Sequence, residues 1–307
     1  MSFIDNVVIS VTLQNKNNKS STMDSNPFIY IILSLSLSNF QRSYCQGLNI
    51  SFVDLPDWDY LMFSQRWPVS SCIEWEGKNN SNVCNMPKDP DVWIVHGLWP
   101  TKTGTDGPND CNSPIHFDPD QLEPILEDLD NYWTNIEAST KPNSFWAHEW
   151  KKHGTCASVL PQLNCVYNYF KKGLELNRKF ELTTILADAN IVPNANNYTI
   201  DDFANSILQK LNVTPQIECL SRKQESFISE IRLCFNKSFD LISCTSVGVE
   251  ISNCDKKKPI KYLKDIPGVM AKASVDEYYI QPEEIISREE ILHKWYTVIK
   301  FLIWFTL

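Results

Sequence analysis

Glycine, long apolar runs and basic charge are all scarce in this sequence of 307 residues. A chain with only nine glycines cannot be a collagen-like polymer. A composition of 43% hydrophobic and 21% charged residues excludes a disordered chain. The apolar stretches at 28–37 and 295–307 are shorter than the roughly 20 residues that a membrane helix needs. A net charge of −9 excludes the broad basic surface with which many proteins hold a polyanion non-specifically. Any nucleic acid must therefore be bound locally.

Cysteine is absent from the first 44 residues and from the last 53, whereas ten cysteines lie between Cys45 and Cys254. This clustering predicts an N-terminal extension at 1–44, one folded domain at 45–254 and a C-terminal tail at 255–307. Cysteine at this density indicates disulfides and an oxidising compartment, with a reduced cytosolic chain as the alternative. Glycosylation sequons fall in or beside the same region, as in a secreted protein, at Asn49, Asn79, Asn197, Asn212 and Asn236.

Both ends of the chain carry an apolar stretch. The run at 28–37 has the length of a signal-peptide core, and small polar residues follow it. We interpret it as a cleaved secretion signal, the alternative being a buried strand. The stretch at 295–307 is interrupted by Lys300, which favours a docked amphipathic helix over a membrane anchor.

Strands and helices do not alternate along the chain as they do in βαβ units, so the sequence predicts an α+β fold. Runs rich in β-branched and aromatic residues predict strands at 60–67 and at 92–96, the latter ending at Gly97. Residues 227–235 and 239–244 are typical of an antiparallel hairpin. Helical spacing, opened in the last case by a Thr-x-x-Asp cap, occurs at 118–133, 144–155, 165–190 and 199–212.

Three of the five histidines lie in two short segments. These are Trp-Ile-Val-His-Gly-Leu-Trp-Pro at 93–100 and Phe-Trp-Ala-His-Glu-Trp-Lys-Lys-His-Gly-Thr-Cys at 145–156. If the second segment is helical, one turn separates His148 from Lys152 and likewise Glu149 from His153, so four ionisable groups share one broad face. A surface ladder of ion pairs would explain the glutamate and the lysine, but it gives no reason for two histidines among three aromatic residues.

A zinc site is one functional alternative, because His-Glu also opens the helical motif of zinc peptidases. In that motif the second histidine follows the first by four residues, whereas His153 follows His148 by five. At about 100° per residue the two rings would point about 140° apart, which suits a single ion poorly. The spacing therefore disfavours a metal, and no other cofactor is implied.

Two histidines, a carboxylate and a lysine suit a metal-free phosphoryl transfer at a ribose. One imidazole removes the proton from a 2′-hydroxyl, which attacks the adjacent phosphorus, while a second imidazole protonates the departing 5′-oxygen. A cation and further donors stabilise the charge that develops on the phosphate. His96, on a separate strand ending at Gly97, is expected to supply the second imidazole across a cleft.

Both segments resemble the two active-site signatures of the ribonuclease T2 family of acid endoribonucleases. The resemblance extends from about Asp57 to Cys254 and includes the run Gln-Arg-Trp-Pro at 65–68. It implies an α+β fold with a central antiparallel sheet packed against several helices and stapled by disulfides. It also implies a secreted or lysosomal, monomeric enzyme that cleaves single-stranded RNA, and not DNA, through a 2′,3′-cyclic phosphate without a metal. A catalytically silent protein on the same fold, which binds RNA or signals, is the alternative.

The resemblance assigns a role to each ionisable group of the two segments. By position, His153 resembles the family's general base and His96 its general acid. Glu149 and Lys152 resemble the pair that stabilises the pentacoordinate phosphate, and His148 resembles the phosphate-binding histidine. Since one imidazole must be protonated while the other is neutral, activity is expected to have a bell-shaped, acidic optimum.

Trp99 has the position of the family's aromatic residue that stacks on the base at the cleavage site. Thr101 stands where the family often has an aspartate that contacts a purine, and this departure leaves the base preference open. Outside both segments, His116 is interpreted as a surface or packing residue, and Trp67 and Trp133 as core residues. The resemblance also implies the disulfides Cys72–Cys84, Cys111–Cys156, Cys219–Cys254 and Cys234–Cys244, with Cys45–Cys165 as the remaining pair.

Overall fold

A seven-stranded β-sheet lies at the centre of the computed structural model, which describes residues 57–267 apart from 112–115, 139 and 195. The strands are β1 Tyr60–Arg66, β2 Ile94–Thr101, β3 Asn197–Tyr198, β4 Gln216–Arg222, β5 Glu225–Phe235, β6 Leu241–Ile242 and β7 Ile260–Lys261. The order across the sheet is β2-β1-β5-β7-β3, and β4 and β6 also pair with β5. The pairs are antiparallel except for β5 with β7. The predicted α+β fold around an antiparallel sheet is therefore confirmed.

Helices surround this sheet. They are α1 Pro68–Lys78, α2 Leu126–Tyr132, α3 Ser144–Glu149, α4 Thr155–Ala157, α5 Val166–Lys179, α6 Leu182–Asp188 and α7 Ile200–Leu211. A π-helical turn, Trp150–Gly154, joins α3 to α4, and we call the continuous unit at 144–157 the signature helix. The predicted cap of α7 is present, because Thr199 and Asp202 each accept a hydrogen bond from the other's backbone N–H.

The core lies between the sheet and the helices and is rich in aromatic rings. Trp67, on the edge between β1 and α1, packs against Tyr262 and Trp93 with ring centroids 4.7 and 5.6 Å apart. Trp133 lies between α2 and α3 and packs against Phe170 of α5 at 4.8 Å. Both Trp67 and Trp133 are fully buried, as predicted.

Several predicted boundaries are wrong. Strand β2 does not end at Gly97, because its backbone continues to pair with β1 as far as Thr101. The helix expected at 165–190 is interrupted after α5, where the Glu181 side chain accepts hydrogen bonds from the first backbone amides of a new helix, α6. The expected domain ended at Cys254, whereas the fold continues through β7, and Ile260 is fully buried.

Four of the expected disulfides are present in the described part of the chain: Cys72–Cys84, Cys111–Cys156, Cys219–Cys254 and Cys234–Cys244. The fifth expected pair includes Cys45, which lies outside the described residues, as do Asn49 and both terminal apolar stretches. Within residues 57–267, no helix combines the length and apolarity that spanning a bilayer requires. Of the sequon asparagines, Asn79, Asn197 and Asn212 are exposed, whereas the Asn236 side chain is hydrogen-bonded to Asp240 in a hairpin turn.

Candidate active site

The two histidine-bearing segments meet at one cavity of about 600 Å³. The structure brings together there the six functional residues expected from the sequence: His96, Trp99, His148, Glu149, Lys152 and His153. Thr101 also lines this cavity, whereas His116 is exposed and lies outside it, as expected for a surface residue. The site therefore lies between strand β2 and the signature helix.

A β-bulge at His96 turns its side chain into the cavity. In the register of β1 with β2, Ser64 is opposite Gly97 and Gln65 is opposite Val95, so His96 is the extra residue. Regular alternation would place His96 and Trp99 on opposite faces of the sheet. The bulge cancels that alternation. As a result the two rings are in edge contact, with centroids 5.1 Å apart.

Buried aromatic side chains hold the bulged segment in position from the helical layer. The Trp133 indole Nε1 donates a hydrogen bond to the His96 carbonyl at 3.0 Å. The Tyr169 hydroxyl, on α5, donates to the Leu98 carbonyl at 2.9 Å. Both donors are fully buried, and each satisfies a carbonyl that the sheet ladder leaves free. The backbone that presents His96 is thus fixed by the core.

The signature helix is not the regular α-helix that the sequence predicted. Its π-helical turn allows the Thr155 N–H to donate to the Trp150 carbonyl, five residues earlier, and π turns of this kind occur often at functional sites. The π turn is wider than an α-helical turn, so the angle of about 140° expected between the rings of His148 and His153 in a regular helix does not apply here. Both histidines line the same cavity, with His148 exposed and His153 buried.

Glu149 is a buried carboxylate that contacts strand β2. It is 2% exposed, and its Oε2 accepts a hydrogen bond from the Trp99 indole at 3.0 Å. Burial raises the pKa of Glu149, and the charges of His96 and His148 offset this only in part. The close approach depends on Gly97, where a Cβ would lie 2.4 Å from the carboxylate and 2.0 Å from the indole nitrogen.

His153 is the most buried of the three histidines in the cavity. It is 8% exposed, and its ring centroid lies 5.3 Å from that of Trp99. Burial, together with the charges of Lys152, His96 and His148, lowers the pKa of His153 to about 3. Its imidazole is therefore neutral over the whole weakly acidic and neutral range.

Glu230, on β5, is a functional residue that the sequence reasoning missed. Its Oε1 lies 2.6 Å from His96 Nδ1, and its Oε2 accepts hydrogen bonds from Ser64 Oγ and Arg232 Nε, both at 2.8 Å. Burial opposes ionisation, but the charge and hydrogen bond of His96 and the charge of Arg232 outweigh it and hold the pKa of Glu230 far below its usual range. An acidic residue in the middle of the strand predicted at 227–235 was the signal that could have revealed it.

Arg232 connects this network to Trp99. Its guanidinium lies 5.2 Å from the Trp99 ring centroid and within 3.4 Å of Glu218. A base that stacks on this face of Trp99 would have to displace or share the guanidinium. The predicted base-stacking role of Trp99 therefore remains a prediction.

The ionisable cluster also borders a second cavity of about 330 Å³, so it lies between two spaces. His96, His148 and Glu149 line both cavities. Arg66 lines the second cavity and stacks over Phe145 at 4.6 Å.

The described residues contain one group with the spacing of metal ligands: Cys72, Glu76 and Cys84. The two sulfurs of this group are bonded to each other, which leaves a single carboxylate. His96 contacts Glu230, and His153 contacts Trp99. The two imidazoles can perform acid–base catalysis directly, with His153 held neutral by burial and His96 facing a carboxylate.

Comparisons with known proteins agree with this geometry. The sequence model of the Ribonuclease T2 family matches residues 58–244. Ribonuclease Oy of Magallana gigas is 37% identical over 211 residues, which are 67% of this chain and 96% of that protein. The crystal structure of human RNase T2 has a TM-score of 0.55 at 32% identity and covers 67% of this chain and 98% of its own. RNase NT in complex with 5′-AMP has a TM-score of 0.57 at 27% identity, covering 68% and 99%. The chain therefore belongs to the ribonuclease T2 family of endoribonucleases.

Proposed function

We propose that His153 and His96 cleave single-stranded RNA in this cavity by transphosphorylation, as general base and general acid. The observation that carries the proposal is their opposite surroundings. His153 is buried, with a pKa of about 3, so it is neutral and can accept a proton. His96 faces the ionised carboxylate of Glu230 at 2.6 Å, a partner suited to a protonated ring.

In the first step His153 takes the proton of a ribose 2′-hydroxyl while that oxygen attacks the adjacent phosphorus. The bond from phosphorus to the 5′-oxygen breaks, and His96 donates a proton to this leaving oxygen from Nε2, because its Nδ1 faces Glu230. The product is a 2′,3′-cyclic phosphate. In the second step the roles reverse: His96 deprotonates a water molecule that attacks the phosphorus, the bond from phosphorus to the 2′-oxygen breaks, and His153 returns its proton to that oxygen, which leaves a 3′-phosphate.

Lys152, His148 and Glu149 stabilise the charge on the non-bridging phosphate oxygens during both steps. The raised pKa of Glu149 favours a neutral carboxyl group, which donates a hydrogen bond to a phosphate oxygen. Glu230 is a positioning residue, since it touches His96 and not the substrate. DNA is not a substrate, because it lacks the 2′-hydroxyl.

The same proposal covers the setting in which the enzyme acts. Four disulfides and three exposed sequon asparagines support a secreted or lysosomal-type glycoprotein. The 5′-AMP bound to RNase NT supports nucleotide binding by this fold. The family's general mechanism needs no metal ion.

The deciding experiment follows the cleavage of single-stranded RNA in excess EDTA and identifies the ends of the products. Wild-type protein should release 2′,3′-cyclic phosphates and then 3′-phosphates. His153→Phe and His96→Phe should each lower turnover by about 10² to 10⁴, the range expected for lost acid–base catalysis. His116→Phe, at the exposed histidine outside the cavity, should retain full turnover.

Each alternative predicts a different outcome. A catalytically silent RNA-binding protein would leave the RNA intact, and a zinc hydrolase would lose activity in EDTA. Near-wild-type turnover of either His96→Phe or His153→Phe would refute the assigned roles.

A further inference from the structure

A third cavity, of about 870 Å³, adjoins the active-site cavity. Val249 and Glu250 line both cavities, so the two spaces are neighbours on one surface. We call this cavity the lysine-turn groove. It is lined by Thr199, Ile200, Asp201, Thr245, Val249, Glu250, Ile251, Ser252, Lys256, Lys257, Lys258 and Pro259. None of these residues takes part in the proposed mechanism.

Lys256, Lys257 and Lys258 are the longest run of basic residues in the chain, and the fold fixes their position. They lie in a turn in which the Lys258 N–H donates to the Asp255 carbonyl at 3.0 Å. The Cys219–Cys254 disulfide holds the residue before this turn, and strand β7 begins directly after it. The three ammonium groups are therefore held at one rim of the groove by short, anchored backbone.

Two of these lysines are free to meet an anion. Lys258 lies 3.9 Å from Asp255, whereas among the described residues Lys256 and Lys257 have no carboxylate within 4 Å. Both are exposed. In a protein of net charge −9, such a cluster is a local exception that suits a polyanion.

The rest of the groove favours a nucleic acid that brings bases as well as phosphates. Ile200, Val249 and Ile251 give the lining an apolar part, and Ile251 is 44% exposed. Asp201 and Glu250 also line the groove, which limits phosphate contacts to the lysine rim. Continuity with the active-site cavity favours the RNA substrate over an acidic protein partner.

We propose that the lysine-turn groove binds nucleotides of a single-stranded RNA beyond those at the cleavage site, with phosphates on Lys256 and Lys257. The proposal rests on the proposed function, because the same RNA strand must occupy the active-site cavity. A dinucleotide is too short to use the groove, whereas an oligonucleotide of about ten nucleotides has the length that single-strand-binding sites accommodate. The lysines should therefore affect long substrates only.

The experiment compares kcat/KM for a dinucleotide and for an unstructured ten-nucleotide RNA across a range of salt concentrations. The double variant Lys256→Gln/Lys257→Gln should lose about 10-fold in kcat/KM on the long RNA, and its salt slope should fall by about 0.7 per lost phosphate contact. Its kcat/KM on the dinucleotide should be unchanged. The matched control Lys88→Gln/Lys223→Gln removes the same charge from exposed positions outside both cavities and should leave both substrates unaffected.

Equal losses in the two double variants would overturn the groove proposal, since only total charge would then matter. An unchanged rate on the long RNA, or an equal loss on the dinucleotide, would overturn it as well. These outcomes are distinct from failure of the proposed function, in which wild-type protein would not cleave the dinucleotide at all.

Discussion

Glu149, Glu230 and His153 are all buried in one site, yet their pKa values shift for different reasons. Burial dominates at Glu149 and raises its pKa, whereas the contacts with His96 and Arg232 outweigh burial at Glu230 and keep it ionised. Burial and the neighbouring positive charges lower the pKa of His153 and hold it neutral. These surroundings suit His153 to accept a proton, and they suit Glu230 to support His96 as a proton donor.

Replacing Glu230 with Gln tests that network. The amide keeps the size of the side chain but removes the negative charge that faces His96, so the alkaline limb of the pH–rate profile should move to lower pH. The kcat should fall by about 10-fold or more, yet by less than the loss of about 10² to 10⁴ expected for His96→Phe. Ser64→Ala, which removes only one hydrogen bond to Glu230, should leave the alkaline limb in place. A profile of unchanged shape in Glu230→Gln would show that the carboxylate does not act through His96.

Glu149→Gln should stabilise the fold while it impairs catalysis. Burial raises the pKa of Glu149 in the folded state above its ordinary value of 4.5. At higher pH, folding therefore carries the free-energy cost of burying a charged carboxylate. When the group is protonated, this cost is absent. We expect the variant to gain on the order of 1 kcal/mol in the free energy of unfolding at pH 7, a typical size for one substitution. The gain should vanish below pH 4.5. Because the pKa of Glu230 is lowered in the folded state, Glu230→Gln should instead be destabilised at pH 7. If both variants changed in stability in the same direction, this account would be contradicted.

Strand β2 and the signature helix form the site only because each departs from regular geometry. The bulge in β2 puts His96 and Trp99 on one face, and the π turn at Trp150–Gly154 lets histidines five residues apart share a cavity. Gly97 then lets the two elements approach within hydrogen-bond distance. The bulge and the π turn therefore both contribute to the geometry of the site.

Gly97→Ala tests this close approach. A Cβ would overlap both the Trp99 indole and the Glu149 carboxylate, so we expect a loss of about 1–3 kcal/mol in stability and a larger loss of activity. The matched control is Gly77→Ala on the exposed side of α1, where the nearest atoms belong to the flexible Arg222 side chain at 3.3 Å. Better helix propensity should make this control neutral or more stable by about 0.5–1 kcal/mol. Thermal unfolding and RNA turnover of both variants decide the question; an active, stable Gly97→Ala protein would contradict the contact.

The molecule as a whole is acidic, although its substrate is a polyanion. At −9, long-range repulsion opposes a long RNA at neutral pH and weakens as carboxylates are protonated at lower pH. The local chemistry acts in the same direction, because His153 is available as a base at any pH above about 3. Both effects favour activity under acidic conditions.

The two effects can be separated by substrate length and salt. For a dinucleotide, turnover should rise as pH increases through about 3, where His153 becomes neutral, and fall again on the alkaline side, as a mechanism that needs a protonated acid requires. For long RNA at low salt the optimum should lie at lower pH, and the two profiles should converge above 0.1 M salt, where the screening length is about 10 Å. An alkaline maximum for the dinucleotide would contradict the two-histidine mechanism. Identical profiles at every salt concentration would remove the role of overall charge.

The sequence by itself determined the class of the fold and six of the side chains that line the cavity. This was possible because His148 and Lys152 are four residues apart, as are Glu149 and His153, and residues at that spacing are neighbours on the surface of a helix. The segment containing His96 was equally readable, since its residue types and order are distinctive. The α+β class followed from the order of strand and helix patterns, which is also local information.

Only the tertiary structure decided which distant groups act on these residues. Glu230 lies 134 residues from His96 in the chain, and its contact depends on the register of β5 against β1, which no local pattern specifies. The bulge at His96 and the π turn also arise where neighbouring elements must fit each other. Strand β7 joins the sheet beyond the expected boundary because Ile260 fills a space in the core. Contacts between remote residues follow from register and packing, and those are set by the whole fold and not by spacing along the chain.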